Sequence, residues 1–116
     1  MNYSQAVREI ETIFPDLQNR LKENHNPYTA IRVFTDQIKK MIRQDDQSLI
    51  RESLDKMSTI YSQGDAVLKN AIENTFIYSL DNCTAFCTEE SRQLIFSCMS
   101  EDLQKSYTAQ IYQHGI

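Results

Sequence analysis

Glycine and proline are scarce: two of each stand among 116 residues. Sandwiches and barrels need many tight reversals, and roughly a quarter of average usage excludes them. Two glycines also rule out a Gly-rich phosphate-binding loop. No apolar run approaches the roughly 18 residues that a bilayer-spanning helix requires. The polar opening MNYSQAVREIE contains no secretory hydrophobic region, so a cytoplasmic location is the expectation. Basic residues are nowhere clustered, which argues against non-specific nucleic-acid binding, because phosphates need a concentrated positive surface. Cysteine is limited to three residues, an odd number most simply read as reduced thiols.

What is present points to a folded helical chain. Hydrophobic residues make up 41% and charged residues 24%, with a net charge of −4, which is too apolar for disorder. The length predicts one domain over residues 1–116. Val7, Ile10, Phe14, Leu17 and Leu21 recur at helical spacing, interrupted by Pro15; this predicts a helix over 3–13 and a short second one starting at Pro15. Asn26-Pro27 starts a helix over 27–44 with Ile31, Phe34, Ile38 and Met41 on its apolar stripe. Asp45 or Asp46 caps a helix over 47–63 bearing Ile50, Leu54, Met57 and Tyr61. Gly64, expected in the left-handed conformation, then closes that helix, and Asp65 caps the next. The following helix, 66–82, carries Leu68, Ile72, Phe76 and Leu80 at steps of four. Thr88 caps a helix over 89–98 with Leu94, Ile95 and Cys98, and Ser100 starts the last, with Leu103, Tyr107 and Ile111. The expectation is an all-α fold of about six helices, either a compact antiparallel bundle or a short helical-repeat-like stack.

Few constellations carry chemistry. Cys83, Cys87, Cys98 and His114 are potential metal ligands, but they lack the close paired spacing of structural zinc sites, and a cysteine on an apolar stripe acts as a small hydrophobe. Cys87 stands before the cap residue Thr88, yet only His25 and His114 are available as an imidazole base, so a cysteine hydrolase is not expected. The acid pairs Asp45-Asp46, Glu89-Glu90 and Glu101-Asp102 sit at helix starts, where capping and dipole compensation account for them. No catalytic residue, cofactor or metal is expected.

Charge is distributed unevenly. Residues 1–62 hold nine basic and nine acidic side chains, whereas 63–116 hold three basic and seven acidic. The C-terminal half therefore carries the whole net charge, a surface that attracts basic proteins and repels nucleic acid; accumulated helix-start acids are the plainer explanation. With Leu68, Ile72, Phe76 and Leu80 facing the core, the 100° step places Asn70, Asn74, Ile77, Tyr78 and Asp81 on the opposite side. Two readings of that face stand: a central helix contacted on both sides, or a partner-binding patch anchored by Ile77 and Tyr78.

The run Gly64-Asp65-x-Val67-x-x-Asn70-Ala71-Ile72-Glu73-Asn74-x-Phe76-x-x-x-Leu80 resembles a short signature of small all-helical bacterial proteins of uncharacterised function, some of them similar to immunity proteins of polymorphic toxin systems. The resemblance implies a compact helical fold, a bacterial cytoplasm and a protein-binding role, and supplies no catalytic residues. It leaves Asn70, Glu73 and Asn74 as positions with more than a structural part. The resulting expectation is a non-catalytic module that binds a protein, such as a basic toxin domain, through Asn70, Glu73, Asn74, Ile77, Tyr78 and Asp81. A homo-oligomeric structural protein is the alternative.

Overall fold

Helix starts carry the caps that the sequence marks, as the computed structural model shows for residues 1–23 and 26–112. Asn2 opens α1 (Tyr3–Ile13) with a reciprocal capping box to Gln5. A 3-10 turn at Pro15–Leu17 leads into α2 (Gln18–Glu23). Asn26 caps α3 (Pro27–Arg43) by accepting from the Tyr28 N–H at 2.9 Å. Asp46 caps α4 (Gln47–Gln63) and Asp65 caps α5 (Ala66–Ala71), accepting from Leu49 and Leu68 N–H groups at 3.2 and 3.0 Å. Each such bond satisfies a helix-start donor that has no partner inside its own helix. A π turn, Ile72–Phe76, joins α5 to α6 (Ile77–Thr84) without a break. Thr88 caps α7 (Glu89–Ser97), and Ser100 accepts from Leu103 N–H at the start of α8 (Glu101–Tyr112).

Among the described residues the fold is all-α. With 66–84 taken as one rod there are seven helices rather than about six; the seven segments delimited from the sequence, the short one at Pro15 included, all form, and the count of six was one too few. Helices distant in the chain pack together: α1 against α4, and α4 against α8. A repeat stack would confine each unit to its sequence neighbours, so the arrangement is a bundle. The predicted stripes supply its core, including Ile10, Phe34, Ile38, Leu54, Met57 and Leu68. Leu94 departs from its predicted stripe and is 42% exposed, while its neighbour Ile95 takes the buried position.

Two junction residues differ from expectation. Gly64 has φ −70° and ψ 154°, an extended conformation open to any residue. Its constraint is space: a Cβ there would lie 2.4 Å from the Ile60 carbonyl oxygen and 3.0 Å from Leu68 Cβ. The left-handed residue is instead Asp45, with φ 54°. Its N–H reaches Ile42 O and the Asp46 N–H reaches Met41 O, both at 3.1 Å, which is the Schellman closure of α3.

Candidate functional site

The π turn decides which side of the 66–84 rod faces the core. Asn74 Nδ2 donates to the Asn70 carbonyl oxygen at 2.9 Å and to Asn70 Oδ1 at 2.7 Å, competing for the acceptor a regular α turn would offer the Asn74 N–H. The Ile77 N–H then reaches back five residues to Ile72 O. The extra residue rotates the register by about 100°, so Phe76 and Ile77 are both fully buried. Ile77 is therefore a core residue and is corrected out of the expected partner-binding patch.

The other five expected residues do not share one free surface. Asn70 and Asn74 are exposed, and Asn70 also donates to the Tyr28 hydroxyl at 2.7 Å. Glu73 accepts from the Tyr61 hydroxyl at 2.8 Å, which ties the rod to α4. Tyr78 donates to Gln110 Oε1 at 3.0 Å and Asp81 accepts from the Tyr107 hydroxyl at 2.7 Å, both tying it to α8. Glu73, Tyr78 and Asp81 thus serve as contacts between helices.

A more distinctive corner lies at the end of this rod. Between α6 and α7 the chain turns through Ala85, Phe86 and Cys87, with Cys87 N–H bonded to Thr84 O at 3.0 Å. Phe86 is 99% exposed at the tip. Glu89 and Glu90 follow in the first turn of α7, both exposed. Sequence periodicity gave no signal for Phe86, since a lone aromatic in a four-residue connector belongs to no stripe. Beside this corner, a cleft of about 360 Å³ opens between α6, α7 and α8, floored by Leu80, Ile95, Met99 and Tyr107 and edged by Arg92 and Tyr112. The α7–α8 turn that forms its far end is held by Gln104, whose Nε2 donates to Phe96 O and Met99 O at 3.0 Å each. Ser58 Oγ accepts the Ser100 N–H at 2.9 Å and anchors the same turn to α4.

Burial, reinforced by the Asp81 carboxylate, raises the Tyr107 phenol well above its ordinary range. Burial also raises the Cys83 thiol, with Cys87 adding to the shift and Lys39 and Arg43 opposing it. Cys83, Cys87 and Cys98 are free and half-buried, so Cys98 is less enclosed than its apolar stripe suggested. A raised thiol holds little thiolate at neutral pH, which makes Cys83 a poor nucleophile. His25 and His114 lie outside the described residues, and among the described residues no group of three His, Cys, Asp or Glu side chains is placed to hold a metal ion. None of the described helices is long and apolar enough to cross a membrane.

The family model DUF7674, a domain of unknown function, matches residues 7–113, all but the two ends. The chain belongs to the DUF7674 family. No curated protein and no solved structure matches it. Residues 7–113 take in the π turn, the Phe86 corner and the cleft, so all three lie within the DUF7674 domain.

Proposed function

We propose that this DUF7674 protein is a non-catalytic protein-binding module that captures a basic protein stoichiometrically, in the manner of an immunity protein covering a toxin domain in a bacterial cytoplasm. The observation that carries the reading is Phe86, an almost fully exposed aromatic at a connector tip beside Glu89 and Glu90. An exposed aromatic ring is a preferred anchor at protein interfaces, because it buries a large area at small cost in side-chain entropy. Carboxylates around it steer a basic partner into contact and set the encounter rate, while the buried ring sets the residence time. Asn70 and Asn74 offer an additional exposed polar surface on the α5 side.

The experiment is cross-linking in host cells with the wild type, Phe86→Asp and Asn70→Ala, followed by recombination of the captured protein in purified form. A basic partner in a one-to-one complex, lost with Phe86→Asp, supports the reading. Equal capture by Phe86→Asp removes the corner from consideration. Light scattering tests the alternative of self-association: a concentration-independent 13.6 kDa particle rejects it.

A further inference from the structure

The cleft between α6, α7 and α8 has the features of a small-ligand site, and the protein-binding reading leaves it unused. Its volume of about 360 Å³ falls in the range of pockets that enclose small organic molecules. The floor residues Leu80, Ile95, Met99 and Tyr107 are buried core side chains, so the depression is framed by packed helices rather than by a mobile loop. One wall is aromatic. Phe96 and Tyr107 meet edge to face with ring centres 5.6 Å apart, and Tyr112 leans on Tyr107 at 6.4 Å.

Arg92 is the basic residue of a lining that also carries Thr84, Glu89 and Gln93. Its Nη2 forms an ion pair with Asp81 Oδ1 at 3.9 Å, a distance beyond hydrogen-bond range, so part of its charge is already offset. That carboxylate oxygen already accepts the Tyr107 hydroxyl at 2.7 Å, and the guanidinium also lies beside that hydroxyl. A guanidinium has five N–H donors in a planar fork, so these neighbours leave donors unused. Glu89 lines the cleft from the exposed first turn of α7, where water screens its charge. A single planar cation above an apolar floor matches a carboxylate, which it engages bidentately; a phosphate group, with its higher charge, would call for more than one.

We propose that this cleft binds a small organic carboxylate with a flat or short-chain apolar body, the body against Phe96, Tyr107 and Tyr112 and the carboxylate on Arg92. The site lies beside the partner-docking corner: Phe86 is not part of its lining, and Glu89 borders both.

The test uses the full chain and three probes of one shape: hydrocinnamate, its uncharged amide and the phenylpropylammonium cation. Binding is followed by backbone amide NMR shifts. Hydrocinnamate is expected to give saturable shifts centred on α7 and α8. The amide and the cation should bind at least about tenfold more weakly, as expected when a charge-assisted bond is lost. Arg92→Gln should bring the acid down to the level of the amide, and Arg92→Lys should restore part of the difference. Circular dichroism reports whether each variant folds; the three-probe comparison on the wild type decides the matter without them. The proposal is overturned if no saturable shift appears at millimolar concentrations, if acid and amide bind equally, or if folded Arg92→Gln binds the acid as the wild type does.

Discussion

Tyr107 donates its phenolic hydrogen to Asp81 Oδ1 across 2.7 Å, joining α8 to the end of the 66–84 rod. Tyr107 is buried and Asp81 half-buried, so the bond is shielded from water. Tyr107→Phe is expected to cost about 1–3 kcal/mol at neutral pH, read from urea unfolding. Burial first, and the Asp81 carboxylate second, raise the phenol in the folded state. Below about pH 10 the unfolded tyrosine is still protonated and the contribution is present in full. Above that, the unfolded chain releases its proton while the folded chain keeps it, so stability falls as pH rises toward the folded value. Tyr107→Phe should flatten this alkaline slope, leaving the contributions of Tyr3, Tyr61 and Cys83, which burial also raises. An unchanged slope would refute the assignment.

Asp45→Gly should stabilise the protein. Asp45 holds φ 54° at the Schellman closure of α3, a conformation that costs a residue with a Cβ roughly 1 kcal/mol or more and glycine almost nothing. Some of that gain is offset by the greater freedom of glycine in the unfolded chain. A rise in the urea midpoint with unchanged m-value is the expected outcome, and a fall would mean that the Asp45 side chain makes a compensating contact.

Gly64→Ala should do the reverse. The new Cβ would meet the Ile60 carbonyl oxygen at 2.4 Å, and backbone cannot rotate away as a side chain can. The α4–α5 junction has to open, at about 1–3 kcal/mol. Thermal unfolding checks it: a melting temperature equal to that of the wild type would show that the junction yields freely.

Ile77→Ala and Asn70→Ala separate the two sides of the π turn. Ile77 is fully buried, so truncation should cost about 2–5 kcal/mol. Asn70 is exposed, and its replacement should fall within about 0.5–1 kcal/mol despite the lost side-chain bonds to Tyr28 and Asn74. Similar values for both would contradict the register that the π turn imposes.

Phe86→Asp should leave the urea midpoint nearly unchanged, within about 0.5 kcal/mol, since a side chain 99% exposed contributes no burial to folding. A large loss of stability would show that the ring packs against this chain and does not stand free for a partner.

Local chemistry made most of the fold legible. Scarce glycine and proline, stripes at helical spacing and the caps Asn26, Asp46, Asp65, Thr88 and Ser100 all act within a few residues, and the helices begin where those residues stand. The candidate site was legible only in outline. The acidic bias of the C-terminal half can be counted along the chain, but the cleft requires α6, α7 and α8 to meet, and Phe86 becomes notable only once every neighbour has turned away from it.

The amino-acid order alone determined the helical class, the breaks between helices and most of the apolar residues that fill the core, because backbone hydrogen bonding and amphipathic spacing are short-range properties. Tertiary structure alone decided that Ile77 points inward, that Asp45 rather than Gly64 takes the left-handed turn, and that Tyr78 and Asp81 hydrogen-bond to α8. One residue of π insertion turns a helix by about 100°, and a uniform periodicity read along the chain contains no record of that rotation.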